Sequence, residues 1–363
     1  MPKHTSVRVA VGAATLVAAV GVLLPSQRAA TRTIGLVAST LQTPSAPGIA
    51  VRTARPTASP SPAVHQVRTV RPTPAPTPVP TPPPPPPPPT AGGLNLLVDP
   101  VSFADQSGQH SGAPALQDAA GILVDVDSRT ILWENNPHQG LPPASTTKIV
   151  SSLVALNNFA PTRPVTITPE ALGQADDETK MGLSPGETLN VEELLGGMLT
   201  VSANDAATAM AADTVGLDNF VAAMNAQIQQ LGLHDSHFTT PVGLDDPQQY
   251  ASAYDLAAVA MEDMARFPVF RNIVGRSQVN LPQTATHKDY QLPNLNRELQ
   301  FYPAAIGVKP GYTDNAGPCL VGEASRGGHH LIAVVLHDPV LYSDEASLFD
   351  WGFAQYGLPP IAG

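Results

Sequence analysis

Ala119–Lys148 reads AAGILVDVDSRTILWENNPHQGLPPASTTK, and the order of its signals decides the fold. Two apolar, β-rich runs, Ala119–Val126 and Thr130–Glu134, flank Asp127-Ser128-Arg129, which is a hairpin signal. Pro142-Pro143 halts the chain, and Ser145-Thr146-Thr147-Lys148 opens an apolar stretch through Leu156 with helical spacing. Beyond it, Glu192–Thr200 and Asp205–Asp213 read as helices with Ser202-Ala203-Asn204 in the turn between them. Leu217–Leu231 and Ala253–Phe267 are helical in pattern as well. Three strand-like runs follow, Ala304–Val308, Gly317–Glu323 and His329–Leu336, and a last helix spans Ser343–Gln355. A hairpin, several helices, three strands and a helix indicate the α+β class, an antiparallel sheet covered by helices. No internal repeat is visible.

Charge divides the 363 residues unevenly. No Asp or Glu precedes Asp99, yet eight of the nineteen Lys and Arg do. The remainder holds eleven basic against thirty acidic residues, a formal charge of −19. Such a split separates a tail from a folded domain. We place that domain at residues 94–363, long enough for one large core or two coupled lobes. Nucleic acid is excluded as a partner, because phosphates reward clustered Lys and Arg. Cys319 is the single cysteine, so no internal disulfide forms and the core must be self-sufficient. Without a surrounding signature, this thiol reads as a buried small residue rather than a nucleophile.

Lys3 and Arg8 precede a charge-free stretch from Val9 to Leu24 that Pro25 ends, the basic and apolar regions of an export signal. Its helical length of about 24 Å falls short of the ~30 Å hydrocarbon core. Gln27 and Arg28 occupy the positions where a cleavage site wants small residues. Residues 1–30 are therefore a signal peptide or an N-terminal membrane anchor, the anchor being favoured, and the protein is expected outside the cytoplasm. Residues 31–93 form a Pro/Thr-rich linker ending in eight prolines, Pro82–Pro89. This composition builds no core and predicts polyproline II or disorder. At about 3.1 Å per residue, Thr43–Thr90 would reach ~150 Å from a membrane.

Three short motifs carry chemistry. In Ser145-x-x-Lys148 a helical spacing sets a hydroxyl beside an amine, and a desolvated lysine of depressed pKa can activate a serine. Such a tetrad arises on the order of once by chance in a chain of this length. Ser202-Ala203-Asn204 alone reads as helix capping. Lys309-Pro310-Gly311, followed by Tyr312-Thr313, sits at the end of a strand-like run, and its glycine suggests close approach of backbone or ligand.

Together the motifs have the order and spacing of Ser-x-x-Lys, Ser-x-Asn and Lys-Thr-Gly. Here the sequence resembles the low-molecular-mass penicillin-binding proteins, the serine-type D-alanyl-D-alanine carboxypeptidases (peptidase S11-like) related to class A β-lactamases. The resemblance extends over Pro143–Ile149, Ser202–Ala207, Thr240–Asp246, Gly307–Thr313 and Ala316–Cys319. It implies a β-lactamase/penicillin-binding-protein-like transpeptidase fold with a helical subdomain. It also implies that Ser145 attacks the penultimate D-alanine carbonyl, Lys148 takes its proton, Ser202 relays a proton to the leaving amine, and Asn204 positions substrate and Lys148. Lys309 would add positive potential, and the amides of Ser145 and Tyr312 would form the oxyanion hole. Gly311, Tyr312 and Thr313 would line the substrate groove. Peptidoglycan stem peptides and β-lactams are the implied ligands, and no cofactor or metal is needed. His234 and His237 offer no metal-ligand pattern.

Two departures stand out. Pro310 occupies the position where the family usually has Thr, removing a hydroxyl that would bind the substrate carboxylate and costing about 1–3 kcal/mol of binding. Thr313 or Arg297 would have to compensate. The chain also ends soon after the motifs, so the second β-domain and C-terminal anchor of many relatives are expected to be missing, with the N-terminal segment replacing that anchor. Two alternatives accompany the carboxypeptidase reading. One is a β-lactamase-like hydrolase, for which Glu170, Glu178 and Glu187 lie in no recognisable deacylation motif. The other is a catalytically weak peptidoglycan-binding protein, because of Pro310.

Overall fold

The structure, a computed structural model, describes residues 94–97 and 99–361, all within the unit Thr81–Gly363. The export segment and Pro/Thr-rich linker lie outside the described residues. Among those described, no helix is long and apolar enough to cross a membrane.

In chain order come β1 (Ala104–Asp105) and the hairpin β2 (Ala120–Asp125) and β3 (Thr130–Asn135). A 3-10 turn, Ala144–Thr146, feeds α1 (Thr147–Asn158). The paired short strands β4 (Pro164–Thr166) and β5 (Thr188–Asn190) bracket a long loop. They are followed by α2 (Val191–Thr200), α3 (Asn204–Ala212), α4 (Leu217–Gln230), α5 (Ala253–Arg266) and α6 (Pro268–Val274). A second small hairpin, β6 (Gln278–Leu281) and β7 (Tyr290–Pro293), precedes the one-turn α7 (Glu298–Phe301). Last are β8 (Ala305–Thr313), β9 (Gly317–Arg326), β10 (His329–Leu336) and α8 (Leu341–Ala354).

The main sheet has the order β1-β3-β2-β10-β9-β8, antiparallel except for β1 beside β3. All six residues of β2 are buried, which a strand pattern without polar alternation requires, because both faces are covered. Successive side chains leave on opposite faces. Ile122 and Val124 join the core formed by α1 and α5, while Leu123 packs with Phe349 and Phe353 of α8. The sheet is thus a middle layer. Asn190 caps α2 in a reciprocal capping box with Glu193, ending the loop from β4 at a fixed point.

The expected helices and hairpin are present within one or two residues at each end. One boundary needs correction. Lys309-Pro310-Gly311 lies inside β8, which runs on to Thr313, rather than at a strand end. Pairing of Pro310 with Leu320 and of Thr313 with Gly317 carries the strand past the motif, and the turn falls at Asp314–Ala316. β8 is the edge of the sheet, where a proline is tolerated.

Candidate active site

Ser145 stands in the 3-10 turn that leads into α1, below β8. Ala144 just before it has φ 48, and Ser202 across the cleft has φ 61. Non-glycine residues in the left-handed region cost on the order of 1–3 kcal/mol each and persist where surrounding structure fixes them. Gly243, itself at φ +91, does so for Ala144: a Cβ there would lie 1.9 Å from the Ala144 carbonyl oxygen. Thr146 Oγ1 donates to the Pro143 carbonyl at 2.6 Å and closes the turn.

Lys148 is fully buried, with Nζ 3.0 Å from Ser145 Oγ, 2.7 Å from Asn204 Oδ1 and 2.6 Å from the Val242 carbonyl oxygen. Two of these partners can only accept. A neutral amine has two N–H bonds and one lone pair. Giving the hydrogens to Asn204 and Val242 leaves the lone pair for the Ser145 hydroxyl. Burial drives the Lys148 pKa well below that of a free lysine, and the Lys309 charge lowers it further, against an opposing pull from Glu178. Desolvation and the direction of these hydrogen bonds thus suit the Lys148 amine to accept a proton.

Lys309 is also fully buried, its Nζ 2.8 Å from the Pro310 carbonyl, and burial pushes its pKa down to about 7. Gly311 brings β8 against the Ser145 turn: a Cβ there would sit 2.8 Å from the Ser145 amide nitrogen. Only glycine allows that approach. Ser145 and Tyr312 are shared by two adjoining pockets of about 330 and 410 Å³. One holds Asn204, Glu178, Gly243 and Thr313; the other holds Ser202, Lys309, Pro310 and Gly311. Tyr312 is 64 % exposed at their rim. Neither substitute for the missing threonine hydroxyl is held ready in this state. Thr313 Oγ1 donates to Asp245 at 2.6 Å, and the Arg297 guanidinium lies over Phe301 and Tyr342.

Sequence reasoning named Glu178 only as lacking a motif and passed over Asp205. Asp205 accepts from the amides of Met181, Gly182 and Leu183 at 2.8–3.0 Å and straps the loop between β4 and β5 to α3. The Asn204 amide bonds the Thr179 carbonyl at 2.8 Å. So anchored, the loop presents Glu178 Oε2 to Asn204 Nδ2 at 2.7 Å. Cys319 is buried opposite Gly311, and burial raises its thiol to about 11, which leaves it a packing residue.

Residues 107–340 match the family model described as D-alanyl-D-alanine carboxypeptidase. The chain belongs to the D-alanyl-D-alanine carboxypeptidase family. It is similar to the D-alanyl-D-alanine carboxypeptidase DacB2 of Mycobacterium tuberculosis, 36% identical over 263 residues, covering 69% of this chain and 89% of that protein. It is also similar to D-alanyl-D-alanine carboxypeptidase DacF of Bacillus subtilis, 32% identical over 271 residues, with 72% and 69% covered. Among solved structures, a D-alanyl-D-alanine carboxypeptidase from Mycobacterium tuberculosis superposes with a TM-score of 0.63 at 34% identity, covering 73% of this chain and 98% of that one. The Streptomyces K15 DD-transpeptidase gives a TM-score of 0.63 at 29% identity, with 67% and 100% covered. The penicillin-binding-protein fold implied by the motifs is the fold of this carboxypeptidase family member.

Proposed function

We propose that this family member is a serine-type D-alanyl-D-alanine carboxypeptidase that trims terminal D-alanine from peptidoglycan stem peptides. The observation that carries this is the buried, pKa-depressed Lys148 amine 3.0 Å from Ser145 Oγ. In this mechanism Ser145 Oγ bonds to the penultimate D-alanine carbonyl carbon while its proton passes to Lys148. The amides of Ser145 and Tyr312 hold the oxyanion, donors of a kind that typically supply ~3 kcal/mol each. The C–N bond then breaks, and a proton delivered through Ser202 lets D-alanine leave as an amine. Water attacks the remaining ester, frees the shortened peptide and restores the Ser145 hydroxyl. The substrate carboxylate lies toward Lys309, because that cation lines one pocket while Glu178 lines the other and Asp177 borders both. β-Lactams, which acylate the same serine in this reading, act as inhibitors. The enzyme works outside the cytoplasm, and the Val9–Leu24 segment serves as its membrane anchor.

The test uses wild type beside Ser145→Ala, incubated with diacetyl-Lys-D-Ala-D-Ala and then with a fluorescent penicillin. Release of D-alanine and labelling, both lost in the variant, are the expected result. An absence of both signals in wild type refutes the reading. Labelling without release reassigns the protein to substrate binding.

A further inference from the structure

Resting on the serine-acylation reading, we propose that Glu178 is a positioning residue that aims the Lys148 lone pair at Ser145 by locking the Asn204 side chain in one orientation. The Asn204 amide bridges two groups. Its Nδ2 lies 2.7 Å from Glu178 Oε2, and its Oδ1 lies 2.7 Å from Lys148 Nζ. An amide can turn end for end at little intrinsic cost, since one end donates and the other accepts. A carboxylate breaks that symmetry because it only accepts. With Glu178 ionised, the reversed orientation would set Oδ1 against a carboxylate and leave Nδ2 facing Lys148. That Nδ2 would compete with the Ser145 hydroxyl for the amine lone pair. The observed orientation instead takes one Lys148 hydrogen, the Val242 carbonyl takes the other, and the lone pair remains for Ser145.

The loop holds Glu178 independently of this contact, through the three amides bonded to Asp205 and the bond from the Asn204 amide to the Thr179 carbonyl. Glu178 Oε1 also accepts from the Ala175 amide at 2.9 Å, which keeps the carboxylate in place and contributes to the loop alongside the Asp205 bonds. Its charge also acts on Lys148. The other charged groups around this cleft are Lys309 on β8, Asp177 beside Glu178, and Asp245, which accepts from Thr313. Glu178 favours the ammonium form of Lys148, opposing burial and Lys309. Removing its charge should lower the Lys148 pKa, so the neutral amine persists to lower pH.

Acylation of full-length protein by fluorescent penicillin, followed as rate against pH, tests this with Glu178→Gln and Glu178→Asp. Gln removes the charge and can itself accept or donate, so both Asn204 orientations become open. Its acid limb should move down by about one pH unit, and its plateau should fall about twofold or more as the competent orientation loses population. Asp keeps the charge but is one methylene too short for the bond; its limb should stay near wild type while its plateau falls. A loop that merely folded less well would lower the plateau of both variants without moving either limb. A Gln plateau equal to that of wild type, coincident wild-type and Gln acid limbs, or a Gln limb displaced to higher pH overturns the proposal. If wild type is not labelled at all, the acylation reading itself fails.

Discussion

Lys148 and Lys309 are two buried lysines that use the same physics for opposite ends. Burial depresses both, but Lys148 is surrounded by acceptors and a hydroxyl, whereas the Lys309 amine is bonded to the carbonyl of its own neighbour. With a pKa near 7, Lys309 is charged below that pH and neutral above it. Its attraction for a terminal carboxylate should follow the same course. We therefore expect kcat/KM for D-Ala-D-Ala peptides to fall as pH rises from about 7 to 9. Lys309→Arg keeps its charge throughout, so its alkaline fall should vanish even if its plateau is lower. A wild-type profile flat across this range, or an unchanged limb in the Arg variant, would contradict it. Ser145, Lys148 and Lys309 were legible in the sequence because local spacing and motif order announce them. Glu178 was not, because its partner Asn204 is 26 residues away across a loop without periodicity.

At the scale of elements, the long helices were readable from their helical apolar spacing and the core strands from continuous apolar, β-rich runs bounded by turn residues. The hairpins β4–β5 and β6–β7 were missed, being three or four residues per strand, too short for alternation to register. The extension of β8 through Pro310 was also missed, since proline ordinarily ends a strand and only its edge position permits it here. Packing of α8 on the sheet depends on a residue that propensity would disfavour. Gly352 lies over Leu123 and Leu331, and an added Cβ would come within 2.7 and 2.8 Å of their side-chain methyls. A helix-favouring alanine should thus destabilise through overpacking. Gly352→Ala is expected to lose about 1–3 kcal/mol in urea unfolding at pH 7. An unchanged or raised midpoint would show that α8 shifts freely.

The whole molecule carries an unusual number of buried acids. Asp263, Glu298, Asp338 and Glu345 are fully buried and Glu323 nearly so. Burial first, and mutual repulsion for several, raises Asp338 to about 6, Glu323 to about 7 and Glu298 to about 8, and holds Asp263 and Glu345 well above ordinary values. A group whose folded pKa exceeds its unfolded one contributes stability at low pH and loses it as pH climbs through the folded value. Asp338 therefore weakens the fold between about pH 3.8 and 6, Glu323 between about 4.5 and 7 and Glu298 between about 4.5 and 8. Each does so by about 1.4 kcal/mol for every pH unit that separates folded from unfolded pKa, and Asp263 and Glu345 act in the same direction. The −19 charge of the region from Asp99 onward works in the same direction. Groups held low, such as Glu187 with its bonds from Tyr290 and Lys288, oppose the trend only below about pH 4.5. Thermal unfolding should give a Tm about 10 °C lower at pH 8.5 than at pH 5.5. Glu298 should account for a distinct part of that fall, because neither of its carboxyl oxygens has a hydrogen-bond partner among the described residues. Glu298→Gln, neutral at every pH, should raise Tm at pH 8.5 clearly more than at pH 5.5, where only about one pH unit of the ionisation cost has accrued. A gain of equal size at both pH values would mean that packing, rather than ionisation of this buried acid, governs the change.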